Sequence, residues 1–149
     1  MLIYKKGDIL QATENIICHQ VNVNGVMGGG LALQIAKLYP RCEAEYKRFC
    51  DWYDKDYNEL KGSFFGCLIN RNRTIINCFT QKPGFETDYE QLKICFSRVL
   101  KYAKKYERDV AVPFGYGCGI AKGNWNLVSK IFEDLSNKYW VDISIYKLD

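Results

Sequence analysis

Short apolar runs alternate along this chain with longer stretches in which apolar residues recur every three or four positions. Leu2 to Tyr4 predicts a short strand ending in charge, and Gly7-Asp8 a turn before an extended Ile9-Leu10. The apolar run from Asn15 to His19 predicts a second strand. Leu31, Leu33, Ile35, Ala36, Leu38 and Tyr39 then follow too densely for a clean amphipathic face, which predicts a well-buried helix. Pro40 stops that helix, because proline disfavours a helical conformation in the residue before it. Tyr46, Phe49, Cys50 and Tyr53 at helical spacing predict a second helix over Cys42 to Tyr53. Phe64 to Ile69 and Thr74 to Phe79 predict two strands joined by the polar turn Asn70-Arg71-Asn72-Arg73. Thr80 to Glu86, with Pro83-Gly84, is expected to be a loop. Leu92, Phe96, Val99, Leu100, Ala103 and Tyr106 mark one face of an amphipathic helix over Tyr89 to Tyr106. Asp109 to Pro113 predicts a strand, Asn124 the cap of a helix through Leu135, and Trp140 to Tyr146 a closing strand. Strands alternating with helices predict an α/β fold with a mixed, largely parallel sheet. No repeat or linker interrupts the pattern, so 1–149 is expected to be one domain.

Two glycine-rich segments stand directly after predicted strands. The first, Val21-Asn22-Val23-Asn24-Gly25-Val26-Met27-Gly28-Gly29-Gly30-Leu31-Ala32, runs straight into a helix and holds four of the 12 glycines. Three successive glycines are entropically costly for a mere turn. They suit a loop whose backbone comes up against a ligand, and the helix start beyond offers N–H groups and a positive dipole end to an anion. It is not a Walker loop, since no Gly-Lys-Ser/Thr follows, nor a clean G-x-G-x-x-G fingerprint. The second segment, Phe114-Gly115-Tyr116-Gly117-Cys118-Gly119-Ile120, again alternates glycine after an apolar strand. In open α/β sheets ligands sit outside the carboxyl ends of strands. Two such loops on one sheet edge make a single crevice with two walls, fitted to a phosphate-containing small molecule.

Composition narrows the field. Of 149 residues, 48% are hydrophobic and 26% charged, which is ordinary for a globular domain, and the net charge of +4 is compatible with an anionic ligand. The cations are spread, so nucleic acid is not indicated; Arg71, Arg73, Lys101, Lys104 and Lys105 read as a solvated turn and helix face. Seven cysteines, an odd number at irregular spacing without a C-x-x-C pair, point to free thiols and a cytoplasmic setting. With one histidine a zinc site is not expected, and no apolar run approaches the ~20 residues of a membrane span. No secretory leader, no cofactor and a monomeric state are the expectations. His19, the only histidine, adjoins the first loop and is the candidate acid or base by its intrinsic pKa.

Taken together, Gly7-Asp8-Ile9, the two glycine loops in order and Ser144-Ile145-Tyr146 resemble the macrodomain family over essentially the whole chain. The resemblance implies a three-layer α/β/α fold that binds ADP-ribose. It implies that Asp8, with Ile9, meets the adenine and that Tyr146 offers it an aromatic face. Asn22 and Asn24 would contact the distal ribose, Gly28, Gly29, Gly30 and Leu31 the first side of the diphosphate, and Gly115, Gly117, Cys118, Gly119 and Ile120 the other. The sequence is similar to two branches, the terminal ADP-ribose hydrolases and the phosphatases acting on ADP-ribose 1''-phosphate. His19 matches a histidine of the latter. Where hydrolases of the family carry Asp after the glycines, this chain has Ala32. Where they carry Lys before the long helix it has Gln81, with Lys82 next to it. Where they carry Asp in the second loop it has Ala121. The catalytic candidates are therefore His19, Asn22, Gln81 and Lys82. The implied activity is hydrolysis of ADP-ribose 1''-phosphate or of ADP-ribosylated protein or nucleic acid; the alternative is a non-catalytic reader of ADP-ribose.

Overall fold

The structure, a computed structural model, describes residues Met1–Asp149. Six strands form its central sheet: β1 (Leu2–Lys6), β2 (Ile16–Val21), β3 (Phe64–Asn70), β4 (Arg73–Phe79), β7 (Val110–Pro113) and β8 (Ile143–Lys147). Their order is β1-β8-β7-β2-β4-β3. Every neighbouring pair is parallel except the hairpin β3/β4, so the sheet is mixed and largely parallel.

Alternation along the strands sorts their side chains between two cores. Ile16, Cys18, Ile76, Cys78, Val110 and Val112 face one way, onto α4 (Tyr89–Lys105) and α5 (Trp125–Tyr139), where Phe96 and Phe132 pack at 4.6 Å between ring centroids. Ile17, Val21, Ile75, Phe79 and Ala111 face the other way, onto α1 (Gly30–Leu38) and α2 (Pro40–Trp52). The result is the expected three-layer α/β/α arrangement. β2 is central, and its side chains are buried along almost its whole length.

Several local expectations change. Ile9–Gln11 is a 3-10 turn and not an extended segment, because the Asp8 carboxylate accepts from Leu10 N at 2.9 Å and caps it. The expected well-buried helix is not found: α1 buries only Ile35 fully, while Leu31, Leu33 and Ala36 are half-buried and Leu38 is exposed, because the helix packs by one face only. Pro40 ends α1 and at once supplies the first turn of α2, where its missing N–H costs nothing. The four-residue helix α3 (Tyr57–Leu60), capped by Asp56, was not foreseen. The expected loop from Thr80 to Glu86 closes instead as a small hairpin, β5 (Gln81–Lys82) with β6 (Glu86–Thr87). Trp140 ends α5 in a left-handed conformation, φ +58°, so β8 starts only at Ile143. Asp88 caps α4 and Asn124 caps α5.

Candidate functional site

The carboxyl ends of β2, β4 and β7 open into one crevice of about 680 Å³. Residues 19 to 32 form one wall, residues 113 to 121 the other, and Gln81 lies between them. Among its lining side chains none is a lysine, arginine, aspartate or glutamate. What the crevice offers an anion is therefore backbone. The N–H groups of Gly28, Gly29, Gly30 and Leu31 on one wall, and of Gly115, Gly117, Gly119 and Ile120 on the other, donate to no acceptor in the protein. α1 begins without a side-chain cap, whereas α3, α4 and α5 each have one from Asp56, Asp88 and Asn124. Its positive end meets no side-chain acceptor of the protein and faces the crevice. Gly29 stands at the cap position. Its φ of −159° is extended backbone that any residue adopts, and a Cβ there would meet no atom within 4 Å. Neither conformation nor packing of the protein requires glycine at that position.

The rest of the scaffold holds the walls. On the first, Tyr46 from α2 donates its hydroxyl to Asn22 O, and Glu43 accepts from Met27 N at 2.9 Å. Asn22 Oδ1 accepts from Asn24 N at 2.9 Å, and Asn22 Nδ2 donates to Gln81 Oε1 at 3.1 Å. Behind the second wall runs a polar relay. Tyr116 OH donates to Thr80 Oγ1 at 2.7 Å, and Thr80 Oγ1 to Gln20 Oε1 at 3.0 Å. Gln20 Nε2 donates to Thr87 Oγ1 at 3.2 Å, and Thr87 Oγ1 to Gly117 O at 2.6 Å. Thus β2, the β5–β6 hairpin and the second loop are fastened to one another. Gly117 takes φ +71°, and a Cβ on it would stand 2.7 Å from Thr87 Oγ1; a Cβ on Gly123 would stand 2.4 Å from Gly117 O.

His19 stands at the floor, 3% exposed. It pairs in register with Asn77 of β4 and donates Nε2–H to Asn77 Oδ1 at 2.6 Å, which leaves Nδ1 as its free nitrogen. Burial pushes its pKa down to about 4, partly offset by the Asn77 hydrogen bond, so the ring is neutral near pH 7.

Of the residues singled out from sequence, His19, Asn22, Asn24, Gly28, Gly29, Gly30, Leu31, Gln81, Gly115, Gly117, Gly119 and Ile120 line this one crevice, as do Ala32 and Ala121. Five others lie outside its lining. Asp8 caps the 3-10 turn, and Ile9 is buried in the α1/α2 core. Lys82 turns outward to Glu86 at 3.4 Å. Cys118 points back to Tyr116 O at 3.3 Å. Tyr146 gives its hydroxyl to Glu14 at 2.6 Å. Glu14 is itself 4% exposed and bonded to Lys5 at 2.6 Å. Burial pushes the Glu14 carboxyl up, but hydrogen bonds from Lys5, Tyr146 and Ser144 outweigh it and hold its pKa down at about 2. Arg73 is not part of a basic surface, since its guanidinium donates inward to Leu10 O and Ala12 O. All seven cysteines are free, and no helix is long and apolar enough to cross a membrane.

Glu43, Tyr46, the Gln20-Thr80-Thr87-Tyr116 relay, Phe85 and Phe114 belong to the site or its support and were not foreseen. A tyrosine in an apolar helical stripe reads as core, and Tyr46 is core except for the direction of its hydroxyl. The threonines lie in a segment expected to be an irregular loop, where nothing in the spacing tells which oxygens meet.

No family model matches the sequence. Among known proteins, an ADP-ribose 1''-phosphate phosphatase of Saccharomyces cerevisiae is 41% identical over 97 residues, 62% of this chain and 53% of that protein. A DNA ADP-ribosyl glycohydrolase of Mycobacterium tuberculosis is 40% identical over 50 residues, 34% of this chain and 14% of that one. The chain thus matches about half or less of the length of these two relatives. Among solved structures, the macrodomain of Mycobacterium tuberculosis DarG superposes with a TM-score of 0.83 at 25% identity, covering 100% of this chain and 99% of that one. DarTG of Thermosipho africanus, solved with ADP-ribose, superposes with a TM-score of 0.78 at 19% identity, over 97% of this chain and 41% of that one. With the two glycine loops closing on one crevice at the carboxyl edge of a β1-β8-β7-β2-β4-β3 sheet, these likenesses show that the chain has the macrodomain fold.

Proposed function

We propose that the crevice binds ADP-ribose and that the protein hydrolyses a derivative substituted at the distal ribose. The observation that carries this reading is the pair of facing glycine walls, whose unpaired N–H groups suit a diphosphate and whose lining holds no competing charge. In this reading Gly28 to Leu31 and Gly115 to Ile120 hold the two phosphates. Asn22 and Asn24, with Gln81 fastened to Asn22, hold the distal ribose, since amide side chains both donate and accept. Asp8, Ile9 and Tyr146 reach the adenine from beyond the crevice lining, and Cys118 supports the second loop. With no carboxylate or ammonium in the lining, proton acceptance from an attacking water falls to His19 Nδ1. Lys82 takes part only after its contact with Glu86 opens. The names of the two relatives, a 1''-phosphate phosphatase and a DNA ADP-ribosyl glycohydrolase, support a hydrolytic role. The chain works as a single domain and a monomer, and its free thiols support a reducing, cytoplasmic setting.

A second reading is favoured by one observation. The crevice is lined by Ala32 and Ala121 where hydrolases of the family carry acids, which fits a reader that needs affinity alone. The deciding experiment is turnover of ADP-ribose 1''-phosphate and of ADP-ribosylated protein and DNA by wild type and His19→Ala. Release of product by wild type that falls at least a hundredfold in His19→Ala supports the enzyme. Undiminished turnover refutes the role of His19, and binding without any turnover establishes the reader.

A further inference from the structure

Ile75 and Phe79 of β4 face the α1/α2 layer, and Asn77 stands between them on the same side of the strand. Its partner across on β3 is Phe65. The Asn77 side chain is fully buried. An amide enclosed in this way is costly unless its polar atoms are paired, and only one of them is. Oδ1 meets His19 Nε2 at 2.6 Å, whereas Nδ2 has no hydrogen-bond partner. A buried donor left unpaired destabilises the fold. Stability therefore does not account for an asparagine at this position, and its one contact is with the histidine of the crevice floor. That contact is directional. An amide oxygen only accepts, so the neutral ring must carry its proton on Nε2.

We infer that Asn77 is a positioning residue that fixes the tautomer of His19, holding the ring proton on Nε2 and keeping Nδ1 as a lone pair for the crevice. This rests on the reading of His19 as the proton acceptor. Without Asn77 the preference reverses. His19 lines the crevice and Asn77 does not. A ring N–H without the amide is better hydrated on the crevice side, with the lone pair turned to the apolar side chains. Nδ1 is then a donor and takes no proton from an attacking water. No charged side chain competes with the amide for the ring. The crevice lining has none, and burial keeps its two ionisable hydroxyls, Tyr46 and Tyr116, neutral. Burial and the Asn77 hydrogen bond alone act on the His19 pKa.

The test reads the ring directly, because His19 is the only histidine and its signals need no assignment. Long-range proton–nitrogen spectra of isotope-labelled wild type near pH 7 should show Nε2 protonated and Nδ1 bare. Asn77→Leu keeps the branching and removes the acceptor. It should move the proton to Nδ1 and lower kcat about tenfold or more, with ADP-ribose affinity within about twofold of wild type. Asn77→Asp keeps the acceptor and adds a negative charge. It should retain the Nε2 proton and restore turnover. It should also raise together the midpoint of ring protonation, from about 4, and the acidic limb of kcat. A merely structural role moves neither the tautomer nor that limb. A wild-type ring protonated on Nδ1, or an Asn77→Leu protein that folds and keeps the Nε2 proton, overturns the inference. If Asn77→Leu fails to fold, wild type and Asn77→Asp decide: a midpoint that stays near 4 in the aspartate variant overturns it as well. A wild type with the expected tautomer that turns over no ADP-ribose derivative overturns the hydrolytic reading, and a place for Asn77 in catalysis with it.

Discussion

Replacing Gly29 and Gly117 separately by alanine should divide the roles of the two loops, because the same added methyl meets opposite surroundings. At Gly117 the backbone is left-handed, φ +71°, and the new Cβ would stand 2.7 Å from Thr87 Oγ1 and 2.9 Å from Gln20 Oε1. Left-handed strain costs about 1–2 kcal/mol for a residue with a Cβ. Displacing Thr87 breaks its hydrogen bond to Gly117 O, about another 1 kcal/mol. Gly117→Ala should therefore lose about 2–3 kcal/mol in urea unfolding with an unchanged m-value, a fall in Tm of roughly 5–10 °C for a chain of this size. At Gly29 the φ is −159° and no atom lies within 4 Å. Gly29→Ala should stay within about 0.5 kcal/mol of wild type, or gain slightly from a stiffer unfolded chain. It should nevertheless weaken ADP-ribose at least tenfold, about 1.4 kcal/mol. Urea melts with and without ADP-ribose read both effects. A Gly29→Ala variant destabilised by more than about 1 kcal/mol, or one that binds ADP-ribose as wild type does, would refute the claim that this glycine is there for the ligand.

Other expectations follow from buried ionisable groups and loop supports. Glu14→Gln should cost about 2 kcal/mol at pH 7, since the carboxylate is held near 2 by Lys5, Tyr146 and Ser144; the Lys5 side of the pair is partly exposed, which trims the value. Because that pKa is depressed, the difference between Glu14→Gln and wild type should shrink as pH falls from about 4.5 toward 2, as denaturant melts at several pH values will show. His19 is also depressed, from 6.5 to about 4, by burial, so an unfolded chain takes up its proton first. Wild type should lose about 3 kcal/mol between pH 6.5 and 4 from this group alone, and His19→Gln should remove that part of the slope. If His19 accepts the proton in hydrolysis, the acidic limb of kcat should lie near pH 4 and not near 6.5. Tyr46→Phe removes the hydroxyl held by Asn22 O; it should cost about 1 kcal/mol of stability and weaken ADP-ribose several-fold by loosening the first wall, read by melts and titration.

The fold was legible where periodicity was long. α4 shows six buried positions at helical spacing, and β3 and β4 emerged within a residue of their bounds, because each is a run with turn residues on both sides. The two walls were legible because glycine is a backbone signal and survives without knowledge of side-chain partners. Legibility failed where a short polar contact decides the conformation. Asp8 folds Ile9–Gln11 into a turn with one carboxylate bond, and Thr87 brings the β5–β6 hairpin against the second loop with one hydroxyl. Neither bond leaves a periodic trace. His19 illustrates the same limit at the site. Its position beside the loop was evident, but its neutral state depends on burial under the crevice and on Asn77, 58 positions further along the chain and adjacent only through β2–β4 pairing.

Isothermal titration with ADP-ribose, with AMP and NAD as controls, tests the central claim most directly when run on wild type and Gly29→Glu together. The account predicts saturable binding selective for ADP-ribose in wild type, and its loss in a Gly29→Glu protein that melts like wild type, since a Cβ at that position meets no protein atom. No binding by wild type, or binding unchanged by the glutamate, would contradict it.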